Sequence, residues 1–104
     1  MSSSTNLPSS VAVLIAALGN PNWRIRVEAA RMLGRSGATD AITLLGAALA
    51  DPYWQVRKEA ATALGLLSAR SVAPALADWL DDENTEVRSA VASALAAIDE
   101  RKAG

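Results

Sequence analysis

"DPYWQVRKEAATALG", residues 51–65, is the stretch on which the fold turns, because the chain writes it three times. Thirty-one residues earlier stands "NPNWRIRVEAARMLG", and thirty-one residues later "DENTEVRSAVASALA". Eleven of the 31 positions in 20–50 recur in 51–81, among them Pro21/Pro52, Trp23/Trp54, Arg26/Arg57, Glu28/Glu59 and Leu33/Leu64. The register continues through Asp51/Asp82, Val56/Val87, Arg57/Arg88, Ala61/Ala92 and Leu64/Leu95. A period of this length is the mark of stacked units, each burying its apolar face only against its neighbours.

Each unit carries two helical patterns. In the first unit Ile25, Ala29, Met32 and Leu33 fall at helical spacing, and Ile42, Leu45 and Leu49 do so again further on. Asn20-Pro21 and Asp51-Pro52 read as helix starts, each a side-chain acceptor followed by a residue with no N–H to satisfy. Gly34, Gly37 and Gly65 read as helix ends, where a positive φ is useful. In the second unit Leu76 and Leu80 form the apolar face, with Pro74 tolerated in the first turn. Val11, Leu14 and Leu18 lie 31 residues before Ile42, Leu45 and Leu49, so 9–18 is the second helix of a pair. The expectation is an all-α, short α-solenoid of helix pairs with a 31-residue period and six helices: 9–18, 22–35, 40–50, 53–67, 71–80 and 84–99. Residues 9–99 then form one domain between flexible tails at 1–8 and 100–104.

The stretch D-P-Y-W-Q-V-R-K-E-A-A-T-A-L-G and, more loosely, V-A-P-A-L-A-D-W-L-D at 72–81 resemble the HEAT-like repeat family. The likeness is to the short type found in phycobilisome lyase subunits and in engineered binders on the same consensus, and it covers residues 9 to 99. It implies a scaffold fold. By likeness to the engineered binders, it also implies that the first helix of each unit lines a concave surface whose variable positions take partners. The motif is specific for fold and poorly specific for activity.

Composition narrows the function. The chain has 104 residues, net charge −1, no Cys and no His. Lack of His removes the commonest general base and the commonest metal ligand. Asp81-Asp82-Glu83 has metal-like ligand types but no glycine-containing calcium loop, and no Gly-rich phosphate loop occurs. No catalytic, cofactor-binding or metal-binding residue is therefore expected, and no cofactor. Nucleic acid is an unlikely partner without a basic excess: residues 20–50 carry +2, 51–81 carry −1 and 82–104 carry −2. "VAVLIAALG" from Val11 has no basic residue before it and is too short to cross a bilayer, so a cytoplasmic location is expected and no membrane partner.

Two residue sets remain. Arg26, Arg57 and Arg88 recur once per unit and suit pairing between units with an acidic or carbonyl acceptor, such as Asp51 or Asp82; an anion-binding ladder is the other reading. The face opposite the core holds Arg24, Val27, Glu28 and Arg31 in the first unit and Gln55, Lys58, Glu59 and Thr62 in the second, with Trp23 and Trp54 at its edge. Two Trp interleaved with Arg suit a binding patch. Each Trp folding over its own helix start is the other reading, and Thr85 in the third unit favours a patch confined to the first two. The leading function is a non-catalytic protein–protein interaction scaffold for an unidentified protein. The alternatives are a bilin-lyase-type subunit, motivated by the resemblance alone, and a nucleic-acid-binding repeat protein. Self-association as a homodimer is also expected. Val13, Ala16 or Ala17 must face outward from the first helix, and "AVASALAAI" at 90–98 has one Ser to mark a wet side.

Overall fold

The computed structural model describes residues 9–103; the N-terminal tail expected at 1–8 lies outside the described residues. Six α-helices follow in order: α1 (Ser9–Ala17), α2 (Trp23–Arg35), α3 (Ile42–Ala48), α4 (Trp54–Leu66), α5 (Ala73–Ala77) and α6 (Thr85–Ala103). Single 3-10 turns, Thr39–Ala41 and Arg70–Val72, lead into α3 and α5. No strand occurs among the described residues. The chain is a short α-solenoid: α2, α4 and α6 lie side by side, α1 packs on α2, α3 on α4 and α5 on α6.

The core between the layers is aliphatic and small. Leu33, Leu45, Leu49, Leu64, Leu76, Val56, Val87 and Val91 are shut from solvent, with Ala filling the gaps. At each crossing of the first helices a glycine makes the approach possible. A Cβ on Gly34 would sit 2.8 Å from Ala63 Cα, and one on Gly65 would sit 2.9 Å from Ala94 Cα. Both glycines are inside helices, not at the positive-φ ends expected of them; only Gly37 turns the chain, at φ +71°. Its counterpart Ser68 adopts φ +52°, and there the peptide NH of Ala69 closes the helix end on Leu64 O at 3.0 Å.

The helix starts also differ from the expected ones. α2 and α4 begin at Trp23 and Trp54, one residue after Asn22 and Tyr53. Asn22 caps α2 by accepting from Arg24 N at 2.9 Å. Asn20, Asp51 and Asp82 stand earlier, each accepting the peptide NH two residues on at 2.8, 2.9 and 2.9 Å. They shape the turn into the helix and do not cap it.

Three apolar positions read as core are open. Ile25 is 41% exposed and Met32 49%, although their counterparts Val56, Val87, Ala63 and Ala94 are buried. The reason is positional: those four face a preceding first helix, and none precedes α2 among the described residues. Leu80 is open for the mirror-image reason, and because α5 stops at Ala77 where a helix to 80 was expected. α6 runs on to Ala103, past Asp99, where a tail was expected to begin.

Candidate protein-interaction surface

The arginine ladder is the rigid frame of the candidate surface. Arg26 forks onto Asp51, Nε to Oδ2 at 2.8 Å and Nη2 to Oδ1 at 3.1 Å, while Nη1 donates to the carbonyl oxygens of Asn20 and Pro21. Arg57 repeats the arrangement on Asp82 at 2.8 and 3.0 Å, with Nη1 on Asp51 O and Pro52 O. This second pair is closed off: Arg57 and Asp82 are each 6% exposed. Burial pushes the Asp82 carboxyl up, but the Arg57 fork and the Asn84 NH more than offset it and hold it below the usual carboxylate range. Each such Asp therefore does two things, setting the turn into its own helix and stapling the unit to the one before. Arg88 donates to Asp82 O at 2.7 Å and to Thr85 Oγ1 at 2.8 Å, with no carboxylate among the described residues.

The outward face of α2, α4 and α6 lies on this frame. Arg31 donates to Glu28 at 2.6 Å and crosses to Glu59 of α4 at 3.2 Å, a contact that holds its guanidinium firmly protonated. Lys58 crosses in the same way to Glu86 of α6 at 3.0 Å. Between α2 and α4 lies a hollow of about 330 Å³ bordered by Arg31, Arg35, Lys58, Glu59, Thr62 and Leu66. Between α4 and α6 lies another of about 290 Å³ with Ser89, Ala90 and Ser93 on its far wall. A third, of about 190 Å³ and mostly apolar, opens below it around Leu66, Ala90 and Ala97. Thr62 borders all three.

The two Trp do not form one stack. Trp23 lies parallel to Tyr53, centroids 5.3 Å apart, with the Arg24 guanidinium 4.9 Å over the Trp23 ring and that of Arg26 5.8 Å over Tyr53. Trp54 is half-buried against the hydrophobic core. Val27 and Gln55 are half-buried and Arg24 is exposed. Tyr53 was missed in the sequence reading, although a signal existed: it stands at the cap position held by Asn22 and Asn84 in the other units, and no side-chain cap bond replaces theirs. The position has exchanged a cap for an aromatic surface.

A further hollow, about 490 Å³, lies elsewhere, at the loop edge beside Trp79. It is walled by five carboxylates: Asp82 is engaged by Arg57 and Asp51 by Arg26, while Asp78, Asp81 and Glu83 are exposed. No group of three or more potential metal-ligating Asp or Glu side chains converges among the described residues. Nor is any described helix long and apolar enough to cross a membrane. Comparison with curated proteins finds no match. The family profile for HEAT repeats matches residues 3–53 and again 42–104, and with the paired helices and inter-unit staples above it establishes that the chain belongs to the HEAT-repeat family.

Proposed function

We propose that the chain is a non-catalytic scaffold that binds a protein partner across the outward face of α2, α4 and α6. The observation that carries this reading is the row of hollows around Thr62, stiffened from below by the Arg–Asp staples. A rigid surface loses little conformational entropy on binding. The patch offers an exposed Leu66 and the cations Arg24 and Arg35 beside glutamates that answer Arg31 and Lys58. That mixture suits a protein better than a polyanion, for which uncompensated basic charge is the main source of affinity.

Thr62→Arg, which fills the shared wall of the hollows, and Leu66→Glu should each weaken capture of the partner roughly 30-fold, the loss of about 2 kcal/mol typical of a central interface residue. Ser71→Glu, at the exposed entry to α5, is the control. Affinity capture from the source organism followed by titration decides it; if Ser71→Glu and not the other two loses the partner, the surface is misplaced. Trp23→Ala and Tyr53→Ala test the aromatic edge, because Trp54→Ala would also disturb the core.

Self-association as a two-fold dimer belongs to the same proposal. Val13 and Ala16 on α1 and their counterparts Leu44 and Ala47 on α3 are all exposed, an apolar strip two helices wide. Light scattering over a concentration series should give a mass above one chain at high micromolar concentration. A constant mass of 10.8 kDa would remove the dimer and leave the scaffold reading standing.

A further inference from the structure

Among the described residues the first-helix layer has two open faces, the outer side of α2 and the outer side of α6. The outer side of α6 on one copy can meet the outer side of α2 on another in the arrangement that α4 and α6 have within the chain. Such a contact is head-to-tail, and where its rotation does not close a ring it builds filaments. The geometry therefore invites open-ended stacking in the 31-residue register.

We infer that three residues, Asn20, Met32 and Ala96, make the two open faces mismatched and keep copies of the chain from stacking. Inside the chain the unit-to-unit contact has two invariant parts. One is glycine against alanine: Gly34 on Ala63 and Gly65 on Ala94, each so close that a single added Cβ would lie 2.8–2.9 Å from the facing backbone. The other is arginine against aspartate, Arg26 on Asp51 and Arg57 on Asp82. At a seam between copies both parts fail. Ala96 stands where Gly34 and Gly65 stand, and it supplies the very methyl the contact excludes. It would meet Met32, a full thioether side chain where Ala63 and Ala94 carry one carbon. Arg88, at the ladder position, would meet Asn20 in place of an aspartate. An amide cannot accept a guanidinium fork through two anionic oxygens, so the arginine would lose water without gaining its counter-charge.

The test repairs each face separately. One variant carries Asn20→Asp with Met32→Ala; the other carries Ala96→Gly. Circular dichroism first checks that both remain helical. Sedimentation velocity should then find each variant at the wild-type mass across the concentration series. A mixture of the two should gain mass, with at least a tenfold tighter association than either shows alone. The triple variant should grow with concentration without a plateau, and adding Arg88→Ala to it should abolish the growth. A mixture and a triple variant that both keep the wild-type mass would overturn the inference. So would open-ended growth of the wild type.

Discussion

Arg57→Ala should remove about 3–5 kcal/mol of folding stability, the range found when one partner of a buried ion pair is deleted. A chain of this size has roughly 5–15 kcal/mol in total. Urea denaturation should therefore find the variant near the edge of folding at 25 °C, with its midpoint far below that of the wild type. The size of the effect follows from what is left behind. Asp82 stays closed off with no guanidinium, and the carbonyl oxygens of Asp51 and Pro52 lose their donor. Arg26→Ala removes the same bonds at a site open to water on one side and should lose less. Replacing Arg57 and Asp82 together with Leu should recover part of the stability, because two apolar residues leave no orphaned charge, although the Asp51 and Pro52 carbonyls and the Asn84 NH stay without these partners. A double variant no better than Arg57→Ala would show that the geometry of the fork, not the buried charge, sets the loss.

The pH dependence of the same pair has a definite sign. In the wild type the Asp82 carboxyl is held below its ordinary value of 3.8, so the unfolded chain binds the proton more readily. That contribution to stability is present above the unfolded pKa and is lost as pH falls through the lower, folded one. In Arg57→Ala the pull of the guanidinium is gone, while the Asn84 NH and the charge of Arg88 still act against burial, so the folded carboxyl lies higher than in the wild type. The variant should therefore lose less stability than the wild type as pH falls below about 4. Melting temperatures of the two proteins from about pH 7 to pH 2 give the comparison.

That the ladder arginines bond across units to acceptors such as Asp51 or Asp82 was legible from one sequence because it depends only on the period; which aspartate each takes, 25 residues on, came from the structure. The helix pairs were legible from the period too. What the period could not carry is whether a neighbour exists. Ile25 and Val56 are equivalent letters in the repeat, yet one is open and the other closed, because burial is a property of the stack and not of the unit. The two Trp divided on the same ground. Trp54 is packed against the core, whereas Trp23 rests on Tyr53, a residue whose importance comes from being unlike its counterparts. Sequence identity at Gly34 and Gly65 was visible as well, but the cause was misassigned. Near a helix end, a glycine needed for close approach looks the same as one needed for a turn.

That last distinction makes Gly34→Ala with Gly65→Ala the second large effect expected. Helix propensity alone favours the change by up to about 1 kcal/mol at each site, since both residues lie inside helices. The facing contacts oppose it. Each new methyl would approach the Cα and the Cβ of Ala63 or Ala94 to 2.8–2.9 Å, and a backbone Cα cannot rotate aside as a side-chain tip can. Relief requires moving whole helices of the first layer apart. That would lengthen the Arg26–Asp51 and Arg57–Asp82 contacts that cross the same two interfaces. Overpacking of this kind reaches the upper end of a range of about 1–3 kcal/mol, so each substitution should lose about 2 kcal/mol net and the pair about 4. Gly34→Ala with Ala63→Gly separates the alternatives: removing the Ala63 methyl leaves its Cα in place, so the swap should rescue only part of the loss. Thermal and urea unfolding of the four variants settle it. A double glycine variant as stable as the wild type would mean that the helices slide freely past one another, and the mismatch proposed for Ala96 and Met32 would lose its physical basis with it.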